Sequence, residues 1–177
     1  MRSSLFFVVA IMAALAFAPA PAQAQNWIEF QDPAWGVGIN FPQEPVGEDI
    51  EYMSSEERAV PGRVYTVETE GGLYTLTAVT FEADPTDSLT AVSFATAALR
   101  AKGTPTYDSY HALDGVPGWM MSVTDPDGRL IQSFVLFLNQ RLYIAEGSVA
   151  PGYPPPSNFQ QSITVINPAG DRVQLNN

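Results

Sequence analysis

The stretch GWMMSVTDPDGRLIQSFVLFLNQRLYIAEGSV, residues 118–149, decides the fold. It contains three runs rich in apolar and β-branched residues, at 118–124, 130–138 and 141–149, separated by DPDG and by NQ. DPDG has Asp at the first position of a type I turn, Pro at the second and Gly at the fourth. Sequential strands joined by tight turns pair in the antiparallel sense. The stretch therefore predicts a three-stranded antiparallel meander.

The middle run, LIQSFVLFL, is the most apolar segment after residue 24. Alternate residues of a strand point to opposite faces, and here both faces are apolar. One face carries Leu130, Phe134, Leu136 and Leu138, and the other carries Ile131, Val135 and Phe137. A strand that is apolar on both faces is typical of the centre of a sheet that is covered on both sides.

Further strands are predicted earlier in the chain. RVYTVETE (63–70) and LYTLTAVTFE (73–82) flank Gly71-Gly72, which is the pattern of a β-hairpin. Short runs at 27–30 and 36–42 also read as strands, and 49–54 is a further candidate.

One segment follows a helical period. Asp87 or Ser88 can cap a helix whose single face carries Leu89, Val92, Ala95 or Thr96, and Leu99. Gly103 supplies the stop, so we expect a helix from Leu89 to Lys102 that packs its small-residue side on the sheet.

The carboxyl-terminal part admits two interpretations. After the loop PGYPPP, residues 151–156, Ser157 can cap a short helix, and 163–166 can alternatively begin a last strand. Together these patterns predict a single α+β domain over residues 25–166, an antiparallel β-sheet with a central helix and a C-terminal helix packed on it. Residues 167–177 form a polar C-terminal tail that we expect to be frayed.

The first 24 residues predict export. Arg2 precedes an unbroken apolar run over residues 5–18, and Ala22-Gln23-Ala24 places small residues at a cleavage site, which is the pattern of a signal peptide. The run is shorter than the roughly 20 residues that a membrane-spanning helix needs, so no stable membrane anchor is expected. The alanine-rich leader indicates a bacterial source. The periplasm is the first expectation for the compartment, with secretion as the alternative.

Composition excludes several classes of function. The chain has 8 Lys and Arg against 19 Asp and Glu, a formal net charge of −11, which opposes nucleic-acid binding and adsorption to anionic membranes. Such a charge indicates a dispersed, monomeric protein. Without cysteine, the chain has no disulfides, thiol catalysis or thiolate metal sites.

The order of elements resembles that of the Mog1/PsbP-like α+β domains. The resemblance rests on the strand Gly38-Ile39-Asn40-Phe41-Pro42, on the meander with Arg141-Leu142-Tyr143, and on the helix between them. It covers residues 27–166 and marks the chain as an exported bacterial version of such a domain. It implies a central antiparallel sheet with helices on its faces and a non-catalytic accessory or binding role. The residues that serve photosystem assembly in one branch, or nuclear transport in another, have no assigned counterparts here.

No catalytic, metal or cofactor-binding residue is predicted. His111 is the single histidine, and the chain lacks the Gly-x-Ser-x-Gly motif of common serine hydrolases. One histidine without cysteine does not provide the usual ligand sets of zinc. Asp125-Pro126-Asp127-Gly128 is similar to part of a calcium loop but lacks its distal glutamate, so it is better explained as a turn.

Three aromatic residues are candidates for a groove or a partner contact. Trp35, Tyr110 and Tyr153 fall in predicted loops or near strand ends, where an aromatic ring serves the core less readily.

Glu146 is the candidate among the acids. It lies in the last strand of the meander between apolar neighbours, and Arg129 or Arg141 can pair with it. A structural ion pair is the expected role. A carboxylate-dependent, glycosidase-like hydrolase is the alternative, and it requires two carboxyl groups roughly 5–5.5 or 6.5–9.5 Å apart.

The sequence therefore favours an exported, soluble, non-catalytic binding or accessory protein, whose partner is an unknown protein or a small ligand. The alternatives are the carboxylate-dependent hydrolase and a structural component of envelope assembly.

Overall fold

The computed structural model describes residues 27–175. The predicted signal peptide lies outside these residues. The described chain forms ten strands and two helices: β1 (Ile28–Asp32), β2 (Val37–Phe41), β3 (Val46–Met53), β4 (Ala59–Glu68), β5 (Gly72–Thr80), α1 (Ser88–Arg100), β6 (Thr104–Leu113), β7 (Val116–Thr124), β8 (Leu130–Leu138), β9 (Arg141–Val149), α2 (Ser157–Gln160) and β10 (Thr164–Val165).

The strands form two antiparallel sheets. The larger sheet has seven strands in the order β3-β4-β5-β9-β8-β7-β6, and the smaller has three in the order β1-β2-β10. One apolar cluster joins α1 to the larger sheet, and a second joins the smaller sheet and α2 to its other face. The predicted single α+β domain, with a central and a C-terminal helix on an antiparallel sheet, is confirmed.

Strand β8 occupies the position that its sequence predicts. Phe134 and Leu136 belong to the cluster beneath the smaller sheet, whereas Val135 and Phe137 belong to the cluster beneath α1. The predicted turn before β8 also forms, because the Gly128 N–H donates to the Asp125 carbonyl at 3.0 Å. The meander prediction is therefore confirmed in its pairing and in its coverage on both faces.

Helix α1 forms where predicted and packs its small-residue side on the sheet. Asp87 caps it by accepting from the Thr90 N–H at 2.8 Å. Ala91 and Ala95 are buried, whereas Leu89 is 75% exposed. The prediction that the small-residue side of the helix packs on the sheet is confirmed, and Leu89 alone departs from the predicted face because it lies in the exposed first turn.

The segment after the proline-rich loop forms both of the predicted elements, one after the other. The short helix α2 forms first and β10 follows, pairing with β2 through Thr164 and Val165. Ser157 does not cap α2: its hydroxyl instead donates to Gln132 Oε1 at 2.8 Å. Strand β10 thereby becomes the third strand of the smaller sheet, beside β2.

The polar tail is held by hydrogen bonds as far as it is described. The Val173 N–H donates to the Val165 carbonyl, and the Leu175 N–H donates to the Asp114 carbonyl, both at 2.8 Å. Arg172 forms an ion pair with Asp114. The prediction of a frayed end was wrong up to Leu175, because the tail's backbone donors and its arginine find partners on the body of the domain.

Candidate functional site

A groove of about 620 Å³ lies between α2 and the part of the larger sheet formed by β6, β7 and β8. We call it the β6–α2 groove. The residues on which its description below depends are Tyr107, His111, Met120, Ser122, Gln132, Phe134 and Gln160. None of the described residues that line it is an Asp, Glu, Lys or Arg. The groove is therefore a mixed apolar and amide surface without formal charge.

Strand register aligns a row of side chains across this surface. Tyr107 on β6 lies opposite Ser122 on β7, which lies opposite Gln132 on β8. Residues directly opposite one another in antiparallel strands project from the same face. One ring, one hydroxyl and one amide thus follow each other across three strands.

The lack of a side chain at Gly118 shapes the wall of the groove. Gly118 lies between His111 on β6 and Leu136 on β8. A Cβ atom there would stand 2.6 Å from Leu136 Cδ2 and 2.8 Å from Phe134 Cε2. Across this gap the His111 ring packs edge-on against Phe134, with centroids 5.6 Å apart. The wall is consequently a continuous aromatic surface that spans two strands.

The floor of the groove is a hydrogen-bonded amide network centred on Gln132. Its Oε1 accepts from the Ser157 hydroxyl at 2.8 Å and from Gln160 Nε2 at 3.4 Å. Its Nε2 donates to Ser122 Oγ at 3.2 Å. These bonds tie β7, β8 and α2 together through one side chain.

Gln160 has an unsatisfied polar atom. Its side chain is 2% exposed, and its Oε1 has no hydrogen-bond partner among residues 27–175. Leaving a buried acceptor unpaired costs about 1–3 kcal/mol, so nearly all such groups in native proteins have a partner. Gln160 lines the groove, but its Oε1 itself has almost no accessible surface.

The position of Gln160 depends on its neighbour Phe159. The Phe159 ring is fully buried and lies 5.0 Å from the Phe41 ring and 5.4 Å from the Tyr74 ring, measured between centroids. This aromatic anchor holds the short helix α2 against the rest of the domain.

His111 is part of the wall rather than of a catalytic pair. Its ring contacts Phe134, and within the described chain no hydrogen bond joins it to a serine or an acid. A general base must lie within hydrogen-bond reach of the group that it activates. The geometry therefore gives His111 a packing role.

The structure does not bring the predicted aromatic residues together. Tyr110 lies opposite Trp119 on the α1 side of the sheet, one residue out of phase with His111, and is 58% exposed. Trp35 lies between β1 and β2, packs on the core, and accepts a hydrogen bond from the Tyr143 hydroxyl through its carbonyl at 3.1 Å.

Tyr153 belongs to a second groove of about 450 Å³, which it lines with Trp27 and Tyr74. A Cβ at Gly71 would stand only 2.1 Å from a Tyr153 ring carbon, so the glycine allows the ring to lie against the backbone. Tyr153 thus does not line the β6–α2 groove.

Glu146 forms an ion pair, but with a residue that the sequence did not indicate. It lies on β9, and its side chain is 16% exposed and accepts from Lys102 Nζ at 2.5 Å. Arg141, five residues away, projects from the other face of β9 and donates to Glu82, and Arg129 donates to Ser148. The predicted partners were wrong, whereas the structural ion pair is present.

Other acids show no catalytic arrangement in the described part of the chain. No group of three or more His, Cys, Asp or Glu residues there has a metal-binding geometry. The five grooves described contain at most one carboxylate each: Glu29, Glu70 and Glu82 each line a different one. The pair that glycoside hydrolysis requires is not assembled in any of them.

Comparison with known proteins identifies the fold. No model of a known protein family matches the chain, and no curated protein matches it. Among solved structures, the solution structure of cyanobacterial PsbP (CyanoP) from Synechocystis sp. PCC 6803 is similar, with a TM-score of 0.52 and 13% identity over 84% of this chain and 97% of that chain. At such identity the likeness defines the fold and not the function. The protein has a PsbP-like fold, as the sequence resemblance indicated.

No helix within residues 27–175 has the length and apolar character to cross a membrane.

Sequence reasoning missed the residues of the β6–α2 groove, except for considering His111. One signal was present: Gln132 interrupts the apolar segment LIQSFVLFL, where a polar residue must find partners. Gln160 had no such signal, because its burial depends on how α2 docks.

Proposed function

We propose that this protein is an exported, non-catalytic binding or accessory protein that takes its ligand in the β6–α2 groove. The observation that carries the proposal is the β6–α2 groove, whose described lining has no Asp, Glu, Lys or Arg and combines the His111 and Phe134 rings with the Gln132 hydrogen-bond network. Ligand sites are mostly apolar clefts with a few placed polar groups.

The size and lining of the groove support ligand binding. Its volume of about 620 Å³ falls in the range of roughly 300–1,000 Å³ that is usual for small-molecule sites. The His111 and Phe134 rings supply an apolar wall, and the Gln132 network supplies oriented polar groups. Such a surface binds and orients a molecule without requiring a nucleophile.

Export is supported by the pattern of residues 1–24. Cell fractionation followed by amino-terminal sequencing tests it. The expected mature protein begins at Gln25 and is found in the periplasm. Recovery of a chain that still begins at Met1 from the cytoplasm contradicts export.

Native mass spectrometry tests binding at the groove. The protein is purified from its own envelope fraction and weighed with any retained molecule. Met120→Arg places a long charged side chain on the groove wall, and Leu89→Arg places the same side chain on the exposed start of α1 as a control.

We expect a retained molecule in the wild type and in Leu89→Arg, and its loss in Met120→Arg. Retention in all three proteins, or a wild type with neither a bound molecule nor a co-purifying partner, contradicts the proposal. Circular dichroism confirms that both variants are folded.

A further inference from the structure

We propose that the free edge of β6 binds an extended peptide segment of a partner protein, which adds to the larger sheet as an antiparallel eighth strand. Alternate side chains of that segment are apolar and project beside the β6–α2 groove. This inference rests on the proposed function and names the class of its ligand. It follows from the outward backbone groups of β6, from the contrast between the two edges of the sheet, and from the charge of the chain.

The two edges of the larger sheet differ in how they are protected. The sheet ends in β3 on one side and in β6 on the other. An edge strand presents unpaired N–H and C=O groups, and proteins commonly protect such edges with charged side chains. Strand β3 carries Glu48, Asp49 and Glu51. Strand β6 has ten residues, eight of them exposed, and its one acid, Asp108, is paired with Arg100. Strand β6 is therefore the edge that is open to another strand.

The turn between β6 and β7 shows which backbone groups of β6 point outward. Asp114 and Gly115 have φ angles of 53° and 80°, as in the type I′ turn of a two-residue hairpin. The turn hydrogen bond therefore joins Leu113 to Val116, its register partner. Bonded and non-bonded pairs alternate along an antiparallel ladder, and the register is regular from Leu113 back to Tyr107. The residues whose N–H and C=O groups consequently point away from β7 are Asp108, Tyr110 and Ala112.

The outward backbone groups of Asp108, Tyr110 and Ala112 form what we call the β6 strip. These residues lie two apart, so the strip spans about 13 Å along the strand. Within residues 27–175, β6 pairs with β7 alone, and no backbone group of another element bonds to the strip. The Tyr110 carbonyl accepts from the Ser109 hydroxyl at 3.4 Å and keeps a second lone pair. Donors and acceptors that repeat at every second residue match the backbone of an extended peptide.

A strand added at the β6 strip places alternate side chains beside the groove. Ser109 lies opposite Met120, which lines the groove, and His111 lines it directly. Residues opposite one another in an antiparallel pair project from the same face. The residues of the added strand opposite Ser109 and His111 therefore project on the groove side, towards Met120 and the joined rings of His111 and Phe134. Apolar side chains suit these positions, because the described lining has no charge to pair with an ionised group.

Charge favours a partner peptide over a second copy of this chain. The acid of the β6 strip, Asp108, lies 2.6 Å from the Arg100 guanidinium, so the strip itself is close to neutral. Two copies of the chain, each with a formal net charge of −11, repel each other. A peptide without acids meets no such repulsion, and lysines at its ends are attracted by the net charge of the domain.

The probe is the peptide Lys-Thr-Val-Thr-Val-Thr-Lys, acetylated and amidated at its ends. In an extended conformation its valines form one face and its threonines the other. With the valines on the groove side, the threonine N–H groups point to β6 and the valine N–H groups point to solvent. N-methylation of two threonines therefore blocks strand addition, and N-methylation of the two valines is the matched control.

Binding is followed by ¹H–¹⁵N NMR titration and amide hydrogen exchange of the exported protein. The reporters are the backbone N–H signals of the β6 strip, which should show saturable shifts and slower exchange. The N–H signals of Asp49 and Glu51, on the opposite edge, should not change. The valine-methylated peptide should bind within about threefold of the unmodified peptide, whereas the threonine-methylated peptide should bind at least about tenfold more weakly, since each lost backbone hydrogen bond contributes to affinity.

A variant of β6 provides a second test. Tyr110→Pro removes one outward N–H and no hydrogen bond to β7, and proline is accepted on edge strands. Tyr110→Ala keeps the N–H and is the matched control for loss of the ring. Tyr110→Pro should bind the unmodified peptide at least about tenfold more weakly than Tyr110→Ala does. Circular dichroism shows whether both variants fold; if Tyr110→Pro does not fold, the two methylated peptides decide the question on the wild-type protein.

Equal affinities of the two methylated peptides, or no saturable binding of the unmodified peptide, overturn the inference. So does equal binding by folded Tyr110→Pro and Tyr110→Ala. A dimer in sedimentation that Tyr110→Pro dissociates makes a second copy the occupant and overturns the choice of a partner peptide.

The two proposals fail in different ways. If Met120→Arg loses a co-purifying molecule while the unmodified peptide does not bind the wild type, the proposed function holds and this inference is wrong. If the methylated peptides differ as expected while Met120→Arg retains its molecule, the groove is not the site of that molecule, and strand addition at the β6 strip is supported.

Discussion

Replacement of Phe159 by alanine should remove the anchor of α2 and with it one side of the β6–α2 groove. The Phe159 ring is fully buried against Phe41 and Tyr74. Helix α2 has four residues, far fewer than an isolated helix needs to be stable in water. Its position therefore depends on this packing rather than on its own hydrogen bonds.

The expected loss of stability follows from burial and from the cavity that is left. Full burial of a phenylalanine side chain contributes about 1.5–3 kcal/mol by transfer from water. The cavity raises the cost of Phe→Ala substitutions to about 3–5 kcal/mol. The free energy of unfolding of an ordinary domain is about 5–15 kcal/mol, so the Phe159→Ala variant should still fold but with a smaller free energy of unfolding.

Urea unfolding followed by tryptophan fluorescence measures this loss. With a slope of about 2 kcal/mol per molar urea, a loss of 4 kcal/mol lowers the midpoint by about 2 M. Leu89→Ala, at an exposed site, is the control and should change the free energy of unfolding by less than about 0.5 kcal/mol. A loss below about 1 kcal/mol for Phe159→Ala would refute the anchoring role.

Three further predictions concern the sheet and α1. Gly118→Ala should destabilise the protein by about 1–3 kcal/mol in urea unfolding, since the new Cβ overlaps Leu136; an unchanged midpoint contradicts the close packing there. Asp87→Ala should lower the melting temperature by about 2–4 °C through loss of the helix cap, with a smaller effect for Asp87→Asn, as measured by circular dichroism. Hydrogen bonds from Arg100 hold the pKa of the Asp108 carboxyl below its usual value in the folded protein. The ionised carboxylate therefore stabilises the fold at a pH above its unfolded pKa of about 4. This stabilisation is lost as the pH falls through the lowered pKa of the folded state. Asp108→Asn should therefore be less stable than the wild type in urea at pH 7, with a difference that shrinks in acid; a difference independent of pH argues against the pair.

The meander could be predicted because the residue patterns that specify its strands and its turn lie within one short stretch of sequence. LIQSFVLFL is apolar in both phases of a two-residue period, and Asp125-Pro126-Asp127-Gly128 is a strong turn signal. The structure confirms both. The helical period likewise predicted α1 and the packing of its small-residue side on the sheet, although Leu89, which shares the predicted face with Leu99, lies in the exposed first turn.

The β6–α2 groove could not be predicted from the sequence, because its residues are brought together by contacts between segments that are distant in the chain. Gln160 is buried because its neighbour Phe159 packs against Phe41 of β2, and β2 itself is held over the larger sheet by its buried side chains and by its pairing with β1 and β10. Thr164 and Val165 are too few to be recognised as a strand from periodicity. The same reasoning explains Glu146, whose partner Lys102 is 44 residues away in the chain.

The order of the larger sheet bears on how the chain reaches its folded state. Strands β3, β4 and β5 form one local set and β6, β7, β8 and β9 another, and the two sets are joined only by the β5–β9 pair. Closing a long loop carries an entropic penalty, and folds with distant pairings form slowly, in milliseconds to seconds. Strand β5 is synthesised well before β9, so the β5–β9 pair at the centre of the larger sheet cannot form until residue 149 has left the ribosome. The nascent chain therefore spends most of its synthesis without the strand pair that completes its core.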